Sequence, residues 1–182
     1  MAGQGDAAAL AELGRQMYDA SFRGEAAEAA RLLDLHAPIN HRVGEEQCMP
    51  LMVAALDGHI KVATLLANRG SDLEARMTNG MNALVTASFK GHLAVVQLLV
   101  ERKADIEARC NGGSSTLMWA SCFGQLAVVQ YLASKCSSIN TTDNFGSDAC
   151  LIAAVEGFAD IVLYLISKGG DPRVKTNTTS PP

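Results

Sequence analysis

The chain has 182 residues, 48% of them apolar, 19% charged and only 5% aromatic, a globular composition in which alanine, leucine and valine suit packed helices better than sheets. Its net charge of −4 is uneven, with nine acids and four bases in residues 1–57 against ten and eleven in 58–182, which leaves no clustered basic face for nucleic acid. No uninterrupted apolar run approaches the roughly 18 residues that span a bilayer.

In chain order, residues 1–8 form an alanine- and glycine-rich lead-in, expected to be flexible. A first helix is predicted over 9–20. After Gly24, the run Glu25-Ala26-Ala27-Glu28-Ala29-Ala30-Arg31-Leu32-Leu33 puts its apolar residues on one stripe and its charges on the other, as the end unit of a stack requires.

Four glycines, at 58, 91, 124 and 157, then recur 33 residues apart, each opening a similar pattern of small, apolar and capping residues. Gly24 to Gly58 is one residue longer, and the extra residue falls in the loop 41–48. The period divides 9–175 into repeats 9–42, 43–76, 77–109, 110–142 and 143–175, with a tail at 176–182.

Each repeat predicts two short helices. The first covers 50–56, 83–89, 116–122 and 149–155, and ends just before the marker glycine, whose left-handed conformation closes a helix at no steric cost. The second covers 60–67, 93–100, 126–133 and 159–166, with apolar stripes such as Val95, Val96, Leu98 and Leu99. Nine positions before the glycines stand Met49, Asn82, Ser115 and Asp148; the last three are strong N-cap residues, and Pro50 supplies a favoured first-turn residue after Met49. Thr78-Asn79-Gly80, Asn111-Gly112-Gly113 and Asp143-Asn144-Phe145-Gly146 are the turns between repeats.

The 33-residue period, Gly58-His59 and Gly91-His92, the Val-Val…Leu-Leu helix, Ala-Asp-Ile-Glu at 104–107 and the Pro50-Leu51-Met52-Val53-Ala54-Ala55 run resemble ankyrin repeats over about 9–175. The resemblance implies an all-α solenoid of helix-turn-helix hairpins joined by β-turn fingers. One departure is consistent. The family's Thr-Pro-Leu-His tetrapeptide is here Met49-Pro50-Leu51-Met52, Asn82-Ala83-Leu84-Val85, Ser115-Thr116-Leu117-Met118 and Asp148-Ala149-Cys150-Leu151, so its histidine is lost throughout and stability should be less uniform along the array.

The last second helix, 158–166, is apolar nearly all round, unlike a terminal unit. Continued periodicity would put Pro181-Pro182 at the start of another helix, so the segment reads as the opening of a longer array; self-association through 157–167 is the alternative to monomer. Five cysteines, an odd number without a C-x-x-C pair, point to a reducing compartment, cytosol or nucleus, with buried packing as their default role. The sequons at Asn140 and Asn177 are chance-level signals.

His59 and His92 repeat with the fold and are expected to be structural. His36, His41, Glu45, Glu46 and Cys48 match no zinc spacing, and no metal or cofactor is expected. G-x-G-x-x-G, P-loop, G-x-S-x-G and H-E-x-x-H are all missing, which argues against an enzyme.

By the resemblance, the concave groove takes the residues five before each glycine, Val53, Thr86, Trp119 and Ile152, and those two and one before it, Leu56-Asp57, Phe89-Lys90, Cys122-Phe123 and Val155-Glu156. The expected site for a partner protein or peptide is Met81, Phe89, Lys90, Trp119, Phe123, Phe145 and Glu156, with the aromatics as anchors and the charges setting register. The implied function is noncatalytic protein binding. The alternatives are substrate recruitment within a larger enzyme assembly, such as a ubiquitin ligase adaptor or kinase, and a structural link to the membrane skeleton.

Overall fold

The computed structural model describes residues 2–136 and 138–171, which form ten helices and no strand. They pair in sequence into five hairpins: α1 (Ala2–Phe22) with α2 (Ala26–Asp34), α3 (Pro50–Leu56) with α4 (Ile60–Asn68), α5 (Ala83–Lys90) with α6 (Leu93–Glu101), α7 (Thr116–Cys122) with α8 (Leu126–Ala133), and α9 (Ala149–Val155) with α10 (Ala159–Ser167). The architecture is the expected all-α solenoid. The first helices α1, α3, α5, α7 and α9 approach their neighbours more closely than the second helices do, so the inner row lies on the tighter side of the stack.

After α1 no helix exceeds nine residues, below the roughly 12–15 at which an isolated helix becomes even marginal in water. Stacking supplies the missing stability. Leu51 and Leu66, Leu84 and Leu99, Met118 and Leu132, and Ile161 and Leu165 are sealed from solvent in one continuous core running between hairpins.

The caps follow the sequence. Asn82 Oδ1 accepts from the Val85 amide at 3.0 Å, Ser115 Oγ from Met118 at 3.3 Å and Asp148 Oδ1 from Leu151 at 2.9 Å. Met49 supplies no side-chain cap, and Pro50 occupies the first turn there. The helix boundaries differ from expectation by a residue at several ends, α4, α6 and α10 each reaching one residue further.

The start of α1 differs more: the helix begins at Ala2, seven residues before its predicted start. Alanine has the highest intrinsic helix propensity, and Ala7, Ala8 and Ala9 let the helix extend outward. The tail at 176–182, the Pro181-Pro182 pair and the Asn177 sequon lie outside the described residues.

The fingers between hairpins are tied to one another. Arg42 Nη1 donates to the Arg76 carbonyl at 2.8 Å, Arg76 Nη1 to the Arg109 carbonyl, and Arg109 Nη1 to the Thr142 carbonyl at 2.8 Å. Arg76 and Arg109 also each brace their own turn, at Gly80 O and Gly113 O. Backbone amides join in: Thr78 N to Glu46 O, Asn111 N to Asn79 O and Asn144 N to Gly112 O, all at 3.2 Å. At the opposite end of each repeat Asn40 Oδ1 accepts from the Asp72 amide and Glu74 Oε1 from the Asp105 amide.

Candidate functional site, a concave aromatic groove

The inner row of helices and the fingers enclose the groove, and the repeat register decides which side chains reach it. Phe89 is the penultimate residue of α5, Trp119 lies within α7 and Phe123 follows it, so three rings from two adjacent hairpins converge. Ring centroids are 6.3 Å apart for Phe89 and Trp119, 5.2 Å for Phe89 and Phe123, and 6.0 Å for Trp119 and Phe123, the last pair nearly parallel at 18°. Contacts of this kind are each worth about 0.5–1.5 kcal/mol beyond the area they bury. Lys90 Nζ lies 5.3 Å from the Phe89 centroid, within cation–π range.

Trp119 is both packed and presented. It is partly buried between the phenylalanines, and its Nε1–H donates to Cys110 Sγ at 3.3 Å, which fixes the indole orientation. Phe123 is 47% exposed, a large apolar surface left to water.

Clefts flank the cluster on both sides. Toward the N-terminus an apolar cleft of about 170 Å³ is lined by Tyr18, Met52, Leu56, Met77, Met81 and Phe89, among others. A cavity of about 150 Å³ holds one benzene ring, so this one accommodates a single leucine- or phenylalanine-sized side chain, and flexible thioethers let it adapt. Burial raises the Tyr18 hydroxyl and the Cys48 thiol above their usual values, with nearby carboxylates adding to it at Cys48 through Glu46. Toward the C-terminus a second cleft of about 210 Å³ is lined by Ser114, Met118, Trp119, Cys122, Ile152 and Glu156. There the Cys122 thiol is raised by burial and then by the Glu156 charge.

The expected site residues divide accordingly. Phe89, Lys90, Trp119 and Phe123 come together, and Glu156 sits exposed on the rim of the second cleft. Met81, 8% exposed, lines the first cleft, and its sulfur accepts from Asn79 Nδ2 at 3.3 Å. Val53 and Thr86, 3% exposed each, also line that cleft. Phe145 is 85% exposed at a finger tip and makes no ring contact with the cluster.

Sequence reasoning overlooked Tyr18, Met52 and Met77. Tyr18 and Met52 both stand six before a marker glycine, at 24 and 58, so extending the register one position, and back into the first repeat, would have found them. Of the ligand-like loop residues, Cys48 bridges to Val43 and Glu46 accepts from Thr78 Oγ1; among the described residues no group of three His, Cys, Asp or Glu side chains is placed to hold a metal ion. Among the same residues no helix is long and apolar enough to cross a membrane.

His59 and His92 have a structural place. A backbone carbonyl only accepts, so each Nε2 carries the proton and donates, His59 to Phe22 O and His92 to Leu56 O, both at 2.9 Å. Gln125 repeats the bond to Phe89 O at 3.1 Å. The family model described as ankyrin repeats, in three copies, matches residues 17–110 and 106–176. No curated protein matches the chain.

Proposed function

The chain belongs to the ankyrin repeat family, whose members are generally protein-binding modules, and from that premise we propose that this one is a noncatalytic module gripping a partner peptide or loop in its concave groove. The observation that carries the reading is the Phe89, Trp119 and Phe123 cluster, with Phe123 held 47% exposed between two clefts. Aromatic anchors in a pocket rimmed by near-neutral contacts are the usual centre of a binding surface.

On this reading the clefts suit particular features of such a partner. An apolar side chain enters the cleft of Tyr18, Met52 and Met81, the partner backbone crosses the rings, and a hydroxyl- or amine-bearing side chain meets Ser114 and Glu156. Lys90 and Asp57, both exposed, set register at the rim. A reducing compartment, cytosol or nucleus, belongs to the same reading, resting on five thiols outside any disulfide.

The test is selection of peptides from a random displayed library against the full chain, followed by calorimetry on the tightest. Trp119→Ala and Phe123→Ala should each weaken binding by about 1–3 kcal/mol, tenfold or more. Selected peptides whose affinity is unchanged in both correctly folded variants would reject the groove.

A further inference from the structure

One position at the groove changes its chemistry from repeat to repeat while the packing positions around it hold theirs. Asp57 caps the C-terminus of α3, Lys90 is the last residue of α5, and Phe123 and Glu156 cap α7 and α9. Each stands one before its marker glycine, and all four are exposed. Along the stack the order is acid, base, aromatic, acid. Burial first, then charges at Cys48, Asp19 and Asp57, raise the Tyr18 hydroxyl at the first cleft, which places Asp57 beside it. Lys90 lies over Phe89, and Glu156 lines the second cleft. Arg23, the equivalent residue of the first hairpin, lines a different cleft with Gln16, Glu25 and Glu28.

Helix stability does not ask for this order. The C-terminal end of a helix carries partial negative charge, which favours a base there and disfavours an acid, yet Asp57 and Glu156 are both acids. Among the described residues none of the three charges is in an ion pair. Spacing adds a second constraint. Neighbouring repeats touch across the groove, with Phe89 and Phe123 centroids 5.2 Å apart, and packed helices lie roughly 8–10 Å from axis to axis. A β-strand points residues three apart to opposite faces. A polyproline II segment, with three residues per turn, puts them on one face about 9 Å apart, which matches one repeat.

We propose that the partner is a segment in polyproline II conformation whose every third residue meets one repeat, in the order basic at Asp57, acidic at Lys90, apolar at Phe123 and basic at Glu156. This rests on the groove reading and adds to it a charge order and a backbone conformation. The residues between the contacts are left to fill the clefts. Aromatic-lined grooves suit such segments, whose preformed backbone has little entropy to lose on binding. Opposite charges at each contact fix the register, and a segment with two of them exchanged meets like charge at both.

The probes are two displayed peptide libraries of equal fixed composition, basic-x-x-acidic-x-x-apolar-x-x-basic and acidic-x-x-basic-x-x-apolar-x-x-basic, with x random and each made in both chain directions. Selected against the full chain, the first order should yield peptides about tenfold tighter than the second. The double variant Asp57→Lys with Lys90→Glu, which keeps the net charge, should reverse that preference. Equal affinity for the two orders, or a preference that survives the swap, overturns the charge order; the groove reading stands if the same peptides weaken in Trp119→Ala and Phe123→Ala. A third library carrying the first order at every second residue, the strand period, should bind more weakly, and parity overturns the polyproline II conformation. Peptides indifferent to Trp119→Ala and Phe123→Ala, or no binder from any library, overturn the groove reading and this inference together.

Discussion

Replacing Gly58 by alanine should cost the protein far more than replacing Gly70, and the difference measures the joint between hairpins. Both glycines belong to the same repeat and both have positive φ, +72° and +86°. An L-residue in that region loses about 1–2 kcal/mol, partly offset by about 0.4–1 kcal/mol from a less flexible unfolded chain. Those contributions are common to the two and cancel in the comparison. Among the described residues nothing lies within 4 Å of a methyl group at Gly70, whereas one at Gly58 would sit 2.5 Å from His92 Nδ1. The imidazole must move, which forfeits its 2.9 Å bond to Leu56 O, worth about 0.5–1.5 kcal/mol net, and adds overpacking strain of about 1–3 kcal/mol. Gly58→Ala should therefore exceed Gly70→Ala by about 2–4 kcal/mol in urea unfolding, read from midpoints with the slope checked for constancy because repeat arrays can unfold in parts. In a His92→Ala background the excess should vanish. Equal costs for the two glycines, or an excess that survives His92→Ala, would refute the reasoning.

Ser88 and Ser121 occupy equivalent buried positions with opposite expectations. Ser88 Oγ donates to Leu84 O at 2.7 Å, whereas Ser121 Oγ is buried with no hydrogen-bond partner among the described residues. Ser88→Ala should lose about 1 kcal/mol and Ser121→Ala gain about as much; thermal unfolding shifts of the same sign would contradict this. A third expectation concerns alkaline pH. Burial raises the Cys48, Cys122, Cys136 and Cys150 thiols in the folded chain. A raised acid binds its proton more tightly when folded, so its contribution is fully present below the unfolded thiol value of about 8.5 and is lost as pH rises through the folded values. The urea midpoint should hold near neutrality and fall above about pH 8.5; a midpoint that holds or rises there would count against burial as the cause.

The stack was legible in the sequence because Gly58, Gly91 and Gly124 do two jobs with one residue type, ending a helix and admitting the next repeat's side chain, so both constraints write the same letter at the same interval. The aromatic cluster was legible for a related reason: register alone brings Phe89, Trp119 and Phe123 to one face. Exposure was harder to read. Val53 and Thr86, five before their glycines, and Met81, ten before its own, all line the first cleft, yet they keep only 3%, 3% and 8% of their surface exposed. The arginine chain of Arg42, Arg76 and Arg109 was overlooked although it keeps the period, because its bonds run from side chain to a neighbouring turn's carbonyl and leave no trace in hydrophobic patterning. The helical start at Ala2 was overlooked because a run without polar caps gives no boundary signal.

One position on the fingers, ten before each marker glycine, passes from Cys48 and Met81 to Ser114 and Ser147 along the stack. Cys48 and Met81 line the apolar cleft and Ser114 lines the one that ends at Glu156. The groove therefore has an apolar end and a polar end, and under the proposed function a peptide that fits in one direction would, with its residues reversed, set its apolar anchor against a serine and a carboxylate. A binder evolved for this surface is constrained in the order of its residues as well as in their composition.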